Sequence, residues 1–231
     1  MEALQTKTTL NCIDLGTISY GDGLAVQEKL HAERKAELIG DTALFLEHTH
    51  VITLGKRGSE DDILLEREIL EKRGIEVFRS TRGGQVTYHG PGQLVVYLIF
   101  NLYNAQRELR LFVEKLEKTV IGFLAEKYGL AAHIEPEHPG VWVGDRKLAA
   151  LGIAVKDRVT MHGLALNVHP DLSLFDTIIP CGIRDRGVCS LAQLVPQPPS
   201  LEEVKHDLAA SLASHYGYQK ELWVQSSSVS R

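Results

Sequence analysis

The segment RGGQVTYHGPGQ, residues 82–93, contains four glycines and a proline between two apolar stretches. Glycine tolerates positive φ and lets a bound group approach the backbone, while proline fixes φ and removes an amide donor. The segment therefore has a restricted backbone path. A segment rich in glycine and proline more often turns the chain between two strands than binds a ligand. Arg82 and His89 lie within the glycine run and favour ligand binding here, by a loop that surrounds an elongated ligand.

The stretches on either side of this loop predict strands. Residues 75–79 precede it, and the run LVVYLIFNL that begins at Leu94 has the β-branched and aromatic content of a buried strand. Further strands are predicted at residues 9–15 and 42–47, and a β-meander is predicted across residues 140–168.

Helices are predicted between these strands, over residues 20–38, 61–73, 108–128 and 200–217. The third has the clearest apolar stripe at helical spacing. The fourth begins with Ser200 and Glu203 at capping-box spacing. Together these elements predict an α/β (α+β) protein. The serine-rich tail, residues 225–231, is predicted to be frayed.

Composition limits the classes of function. We expect a single domain over residues 1–231, because 44% hydrophobic content in a chain of this length can bury one large core. A net charge of −5 without any long Lys/Arg block argues against nucleic-acid binding. Apolar runs such as residues 94–100 are too short to cross a membrane. The N-terminal residues resemble no export signal, so we expect a cytoplasmic protein with no membrane partner.

The pair His48 and His50 raises the question of a metal site. On one strand both side chains would share a face. A zinc site needs three or four ligands, and no third ligand follows at a suitable spacing, so we expect no metal. His48 remains a candidate for lining a pocket.

Of the three cysteines, Cys181 is the candidate nucleophile, because it lies between Pro180 and Gly182 in a predicted loop. Cys12 lies in a predicted strand and Cys189 in an apolar segment, where cysteine acts as a small hydrophobe. An odd number of cysteines favours reduced thiols over disulfides. A free thiol is only about 3% thiolate at neutral pH, so catalysis would need a nearby cation.

Lys147 is the candidate cation, because it leads into a strand rich in alanine and glycine that offers room for its ammonium. The alternative is a surface lysine at the start of a hairpin, which periodicity alone favours.

Five segments in this order resemble the lipoate-biosynthesis octanoyltransferases, the lipoyl(octanoyl) transferases. They are EHTHVITLG, RGGQVTYHGPGQ, GVWVGDRKLAALG, MHGLALNV and PCGI. The resemblance implies the fold of the biotin- and lipoate-protein ligase catalytic domains, a mixed β-sheet with flanking helices plus a smaller second sheet. It also implies an acyltransferase that moves octanoyl from acyl carrier protein to a lysine of a lipoyl domain, the first step of lipoyl cofactor biosynthesis.

The same resemblance implies roles for individual residues. Cys181 would form the acyl thioester, with Lys147 beside it to favour the thiolate and to carry its proton. His89 and His162 are separately candidates for positioning the acyl group or a partner, with ordinary structural histidines as the alternative. Ala150 departs from the serine expected there. The implied substrate-binding residues are Arg82, Gly83, Gly84, Gln85, Val86, Thr87, Tyr88, His89, Ala150, Leu151, Gly152, Gly163, Leu164 and Ala165.

An octanoyl chain requires a narrow apolar tunnel, for which the small residues of these segments leave room. We expect Tyr88 and Leu164 to form walls, unless they are ordinary core residues. Each buried methylene is worth about 0.8 kcal/mol, so the depth of the tunnel would select the chain length.

The implied partners are acyl carrier protein, which carries the donor on phosphopantetheine, and lipoyl domains of 2-oxoacid dehydrogenase E2 subunits and of the glycine cleavage H protein. Transfer from thioester to amide is downhill, so neither ATP nor a metal or redox cofactor is expected. We expect a monomer. An ATP-dependent lipoate-protein ligase, an octanoyl amidotransferase between lipoyl domains and a non-catalytic acyl-carrier-binding module remain alternatives. A papain-like protease is least favoured, because Cys181 lacks the Cys-Gly-x-Cys-Trp context.

Overall fold

The computed structural model describes residues 8–102, 109–179 and 186–225. An eight-stranded mixed sheet has the strand order β11-β1-β2-β6-β10-β9-β8-β7. Strands β11, β1 and β2 are parallel neighbours, and every other pair in the sheet is antiparallel. The bounds are β1 Thr9–Ile18, β2 Thr42–His48, β6 Gln93–Ile99, β7 Ala132–Ile134, β8 Val141–Val143, β9 Arg146–Lys156, β10 Val159–Asn167 and β11 Lys220–Val224.

A second, three-stranded sheet has the order β4-β3-β5, where β3 is Val51–Leu54, β4 is Glu76–Arg79 and β5 is Val86–His89. The mixed sheet with a smaller second sheet agrees with the predicted architecture. The glycine-rich segment is not loop throughout, because β5 lies inside it and pairs antiparallel with β3.

The helices are α1 Tyr20–Lys35, α2 Arg67–Lys72, α3 Leu109–Tyr128, α4 Leu191–Leu194 and α5 Leu201–Tyr216. Strand β6 shows how they cover the large sheet, since its alternate residues face opposite sides. Leu94, Val96 and Leu98 pack in one cluster with residues of α3 and α5. Val95, Tyr97 and Ile99 pack in another cluster with α1. The large sheet therefore has a helical layer on both faces. None of the described helices has the length and apolarity that a membrane crossing requires.

Two helix predictions were too long. Helix α1 ends at Lys35, because Glu37 adopts a left-handed conformation with φ of 60°, and Leu38 is exposed rather than part of the apolar face. The predicted helix over residues 61–73 is reduced to α2. The backbone N–H of Leu64 instead donates to Thr177 O, and Ile63 forms an antiparallel bridge with Ile178.

Other predictions are confirmed in detail. Helix α5 begins with the capping box, in which the Ser200 hydroxyl accepts from Glu203 N–H while Glu203 accepts from Ser200 N–H, and it ends at Gly217. The meander is confirmed as β8, β9 and β10. Strands β3, β5, β7 and β11 were not predicted. The predicted loop that contains Cys181 spans residues 171–183, and Leu172–Thr177 within it forms a 3-10 helix. Residues 226–231 of the predicted frayed tail lie outside the described residues.

Candidate active site

A cavity lies between the small sheet and strands β6, β9 and β10 of the large sheet. It brings together segments that are far apart in the chain: the glycine-rich segment, the strand that carries Lys147, and the strand that carries Gly163. The lining residues are Tyr20, Arg82, Gly84, Gln85, Val86, Thr87, His89, Val95, Tyr97, Pro139, Lys147, Ala150, Leu151, Gly152, His162, Gly163, Leu164 and Ala165.

Two of the expected binding residues do not line this cavity. Gly83 lines an adjoining cleft, which shares Pro139 and Gly152 with the cavity. Tyr88, expected as a wall, points into the core of the small sheet, where its ring contacts Phe175 and its hydroxyl lies 2.6 Å from His50 Nδ1. The cavity and the cleft are thus neighbours that have lining residues in common.

Lys147 is buried and its ammonium is held at the cavity wall. Its Nζ donates to Pro139 O at 3.1 Å and lies 5.0 Å from the centre of the Trp142 ring. Trp142 is fixed in turn, because its indole N–H donates to His138 O at 3.0 Å. This position excludes the alternative, a surface lysine at the start of a hairpin. The local cause is a bulge between β8 and β9 that sets Lys147 opposite Trp142.

Cys181, the predicted nucleophile, lies outside the described residues. The described residues on either side of it are firmly anchored. Before it, Ile179 N–H donates to Asp62 O at 2.8 Å. After it, the segment 187–189 pairs with Lys147 itself: Lys147 N–H donates to Gly187 O, and Cys189 N–H donates to Lys147 O. The backbone of Lys147 therefore holds the segment that leads back towards Cys181.

Arg82 anchors the glycine-rich segment to the small sheet. Its guanidinium is buried and donates to the Thr53 carbonyl oxygen at 2.6 Å and to the Thr53 hydroxyl at 2.9 Å. Backbone bonds complete the attachment, since Gly83 N–H donates to Ile153 O of β9 at 3.1 Å. The segment thus joins the two sheets across the cavity.

Three histidines in this region are buried and neutral. His89 and His162 line the cavity, whereas His48, the candidate for lining a pocket, does not. Burial lowers the pKa of His48 to about 4, of His89 to about 3 and of His162 to about 4. His48 Nδ1 lies 3.1 Å from Ile18 O, a group that only accepts, so Nδ1 carries the proton and Nε2 accepts from the Tyr97 hydroxyl at 2.6 Å. His48 and His50 therefore contact different tyrosines and do not form a pair.

A chain of side-chain amides connects the cavity with the segment after Cys181. His89 donates to Gln93 Oε1 at 2.6 Å, and Gln93 Nε2 donates to Asn167 Oδ1 at 2.9 Å. Asn167 Nδ2 then donates to Cys189 O at 3.0 Å. All donors in the chain point the same way, which fixes the proton of His89 on Nδ1. His162 is held separately, since its Nε2 lies 3.0 Å from the Thr81 hydroxyl.

Cys12 and Cys189 are both fully buried. Burial raises the pKa of the Cys12 thiol to about 12 and that of Cys189 to about 11. Both thiols are therefore protonated at neutral pH, in agreement with their interpretation as small core residues. Within the described ranges, no three His, Cys, Asp or Glu side chains form a set that could hold a metal ion.

Several residues of the site were not anticipated from the sequence. Tyr97 lies in an apolar strand. Its hydroxyl was the only feature that could have indicated a role in the site. Pro139 and Trp142 contact the ammonium of Lys147, and Glu117 of α3 accepts a hydrogen bond from Gly140 N–H. No local pattern marks these contacts, because they form only when the segments around β8, β9 and α3 pack together.

Residues 19–213 match the family model described as the lipoyl protein ligase A/B catalytic domain. An octanoyltransferase of Caldicellulosiruptor bescii is 48% identical over 196 residues, which cover 84% of this chain and 86% of the relative. The mitochondrial octanoyltransferase LIP2 of Arabidopsis thaliana is 40% identical over 228 residues, 98% of this chain and 97% of the relative.

Solved structures show the same fold at low identity. A bipartite lipoate protein ligase from Thermoplasma acidophilum superposes with a TM-score of 0.76 at 17% identity, covering 94% of this chain and 88% of the ligase. The biotin protein ligase of Aquifex aeolicus gives a TM-score of 0.53 at 16% identity, covering 90% of this chain and 69% of that protein.

Proposed function

The chain belongs to the lipoyl protein ligase A/B catalytic-domain family and is an octanoyltransferase of lipoate biosynthesis, and from that premise we propose how its site carries out the transfer. The donor is octanoyl-acyl carrier protein, and the acceptors are lysines of lipoyl domains, including those of 2-oxoacid dehydrogenase E2 subunits and the glycine cleavage H protein. Octanoyl passes through a thioester on Cys181, with no ATP, metal or redox cofactor.

One observation carries this proposal: the lining of the cavity combines the glycine-rich segment, the small residues of β9 and β10, and the ammonium of Lys147. The octanoyl chain occupies the cavity beside Gly152 and Gly163. A Cβ at these glycines would lie 3.0 Å from Gly83 O and 1.9 Å from Val96 O, so the two glycines allow the segments that line the cavity to pack closely. The adjoining cleft gives first the carrier arm and then the acceptor lysine a route to the same carbonyl.

In the first half-reaction the Cys181 thiolate, favoured by the Lys147 ammonium, attacks the carbonyl of the donor thioester. The bond from carbon to the carrier sulfur breaks, and Lys147 gives its proton to the departing thiolate. The products are octanoyl-Cys181, free carrier thiol and neutral Lys147.

In the second half-reaction the acceptor amine attacks octanoyl-Cys181. Neutral Lys147 takes a proton from the amine, the amide forms, and the Cys181 thiolate leaves. The ammonium and the thiolate are thereby restored. The anchoring of segment 187–189 to the Lys147 backbone supports this pairing of Lys147 with Cys181.

Intact-mass spectrometry with octanoyl-acyl carrier protein and no ATP tests the proposal. We expect one hydroxylamine-labile octanoyl adduct on the wild type, lost when a lipoyl domain is added, and none on Cys181→Ser. Lys147→Met should slow acylation about 100-fold. Lys156→Met removes an exposed lysine from the same strand and should acylate like the wild type. Modification of the lipoyl domain that requires ATP and free octanoate would instead identify a ligase.

A further inference from the structure

A buried carboxyl, Glu117, lies on the apolar face of α3. Its neighbours on that face are Leu116 and Val120 of the main hydrophobic cluster, and Glu117 itself is only 4% exposed. Burial of a carboxylate costs free energy unless the group is paired and hydrogen-bonded. Glu117 therefore requires a partner that offsets this cost. The mechanism derived above does not use it.

The partner is the peptide unit between Pro139 and Gly140. The Gly140 N–H donates to Glu117 Oε1 at 3.2 Å, and the carbonyl oxygen of the same peptide unit, Pro139 O, accepts from Lys147 Nζ at 3.1 Å. A peptide bond is planar and trans, so its N–H and C=O point in opposite directions. A carboxylate that holds the N–H therefore also sets the direction of the carbonyl that holds the lysine.

The stem of Lys147 packs against the same unit. A Cβ built on Gly140 would lie 3.2 Å from Lys147 Cε, so rotation of this peptide would also disturb the stem. Burial raises the pKa of Glu117, Gly140 N–H and the Lys147 ammonium oppose that rise, and nearby Glu114 adds to it. The Lys147 ammonium thus favours the ionised form of Glu117 across one peptide.

We propose that Glu117 is a positioning residue for Lys147, acting through the Pro139–Gly140 peptide without contact with the substrate. The inference rests on the proposed role of Lys147 in proton transfer. The proposal adds one residue of helix α3 to the residues that determine the position of Lys147 in the cavity.

The test measures the single-turnover rate of acylation from octanoyl-acyl carrier protein, together with the donor concentration at half-saturation. Glu117→Leu keeps the apolar packing and removes the acceptor, whereas Glu117→Gln keeps an acceptor oxygen for Gly140 N–H. We expect Glu117→Leu to slow acylation about 30-fold at unchanged half-saturation, since misplacing a reacting group by about 1 Å can cost up to 100-fold. Glu117→Gln should stay within about fivefold of the wild type, because the hydrogen bond survives.

The matched control is Glu126→Leu, an exposed glutamate on the same helix, which should leave the rate unchanged. The same substitutions are then made in a Lys147→Met background. If Glu117 acts through Lys147, Glu117→Leu should change the residual rate there by less than about threefold, because the effects of coupled residues are not additive. A carboxyl with a merely structural role would slow both backgrounds equally.

Equal slowing in both backgrounds, equal rates of the Gln and Leu variants, or a Leu variant as fast as the wild type would each overturn the inference. These outcomes are distinct from failure of the proposed function, in which Lys147→Met alone would acylate at the wild-type rate. Circular dichroism and thermal unfolding of each variant establish that it is folded. If Glu117→Leu does not fold, the Gln variant still decides, because a loss beyond about tenfold with its acceptor intact contradicts the peptide-mediated role.

Discussion

The guanidinium of Arg82 donates three hydrogen bonds to Thr53. Nη2 lies 2.6 Å from the carbonyl oxygen, and Nη2 and Nε lie 2.9 Å and 3.1 Å from the hydroxyl. Thr53 is the fully buried third residue of β3. The sequence indicated Arg82 as a fixed charge for a ligand. Arg82 also holds the glycine-rich segment against the small sheet.

The first prediction follows from this contact. Arg82→Met leaves the buried oxygens of Thr53 without their donors and should lower the free energy of unfolding by about 3 kcal/mol. Urea denaturation followed by circular dichroism measures the change. The control is Arg79→Met, because Arg79 is exposed, pairs with exposed Glu60 and should cost less than about 0.5 kcal/mol. Similar losses for the two variants would show that the Thr53 contacts do not stabilise the fold.

The sequence predicted those parts of the fold that local patterns encode. Buried β6 has a continuous apolar run, and α5 has its own capping box, so each is recognisable without its neighbours. Strand β11 is different. It is a half-exposed edge strand that pairs with β1, some two hundred residues away, and its sequence KELWV has no strong alternation. Its conformation is decided by a distant contact.

The same distinction applies to the site. The unusual composition of the glycine-rich segment indicated its place at the cavity, but the facing of Tyr88 depended on the register between β5 and β3. Helix α3 was interpreted as a core stripe, which is correct for Phe112 and Leu116 and overlooks Glu117. In the sequence, a carboxyl next to an apolar helical stripe does not indicate which peptide of another element it will bind.

The second prediction concerns the core thiols. Burial raises the pKa of Cys12 to about 12 and of Cys189 to about 11, so neither forms thiolate at pH 7.5. The Cys181→Ser variant should therefore gain no iodoacetamide adduct while it is native and two adducts in denaturant, as read by intact mass. An adduct on the native variant would contradict the assigned core roles. The wild type, which retains Cys181, should gain one adduct when native.

The third prediction is a loss of stability in mild acid. The folded pKa values of His48, His89 and His162 lie at about 3 to 4 because the rings are buried, below the value of about 6.5 expected for unfolded histidine. Between these values the unfolded state binds more protons. The stabilisation is therefore fully present above pH 6.5 and falls as the pH decreases, by up to about 1.4 kcal/mol per pH unit for each histidine.

Urea denaturation between pH 7 and pH 5 measures this loss in a range where most carboxylates stay ionised. His162→Gln retains a partner for the Thr81 hydroxyl and removes one titrating group, so its stability should fall less steeply with decreasing pH. His215→Gln removes an exposed histidine and should follow the wild type. A wild-type stability that does not change between pH 6.5 and pH 5 would show that these histidines are not held neutral.

The fourth prediction separates backbone strain from crowding at Lys147. Gly140 and Gly144 both have positive φ, 140° and 59°, so alanine is strained at either position. A Cβ at Gly144 meets nothing within 4 Å, whereas one at Gly140 would lie 2.7 Å from Ala149 O and 3.2 Å from Lys147 Cε. Gly144→Ala should therefore cost about 1 kcal/mol of stability and leave acylation unchanged.

Gly140→Ala should both destabilise the fold and displace Lys147. Because a shift of about 1 Å in a reacting group can lower a rate 100-fold, we expect acylation of Cys181 to slow by about that factor. Rapid mixing with octanoyl-acyl carrier protein, followed by intact mass, gives the rate, and thermal unfolding gives the stability of the same samples. If Gly140→Ala is destabilised yet acylates as fast as Gly144→Ala, then the placement of Lys147 against Gly140 does not limit the reaction. If it is slow while still folded, the open face of Gly140 is required for the position of the lysine.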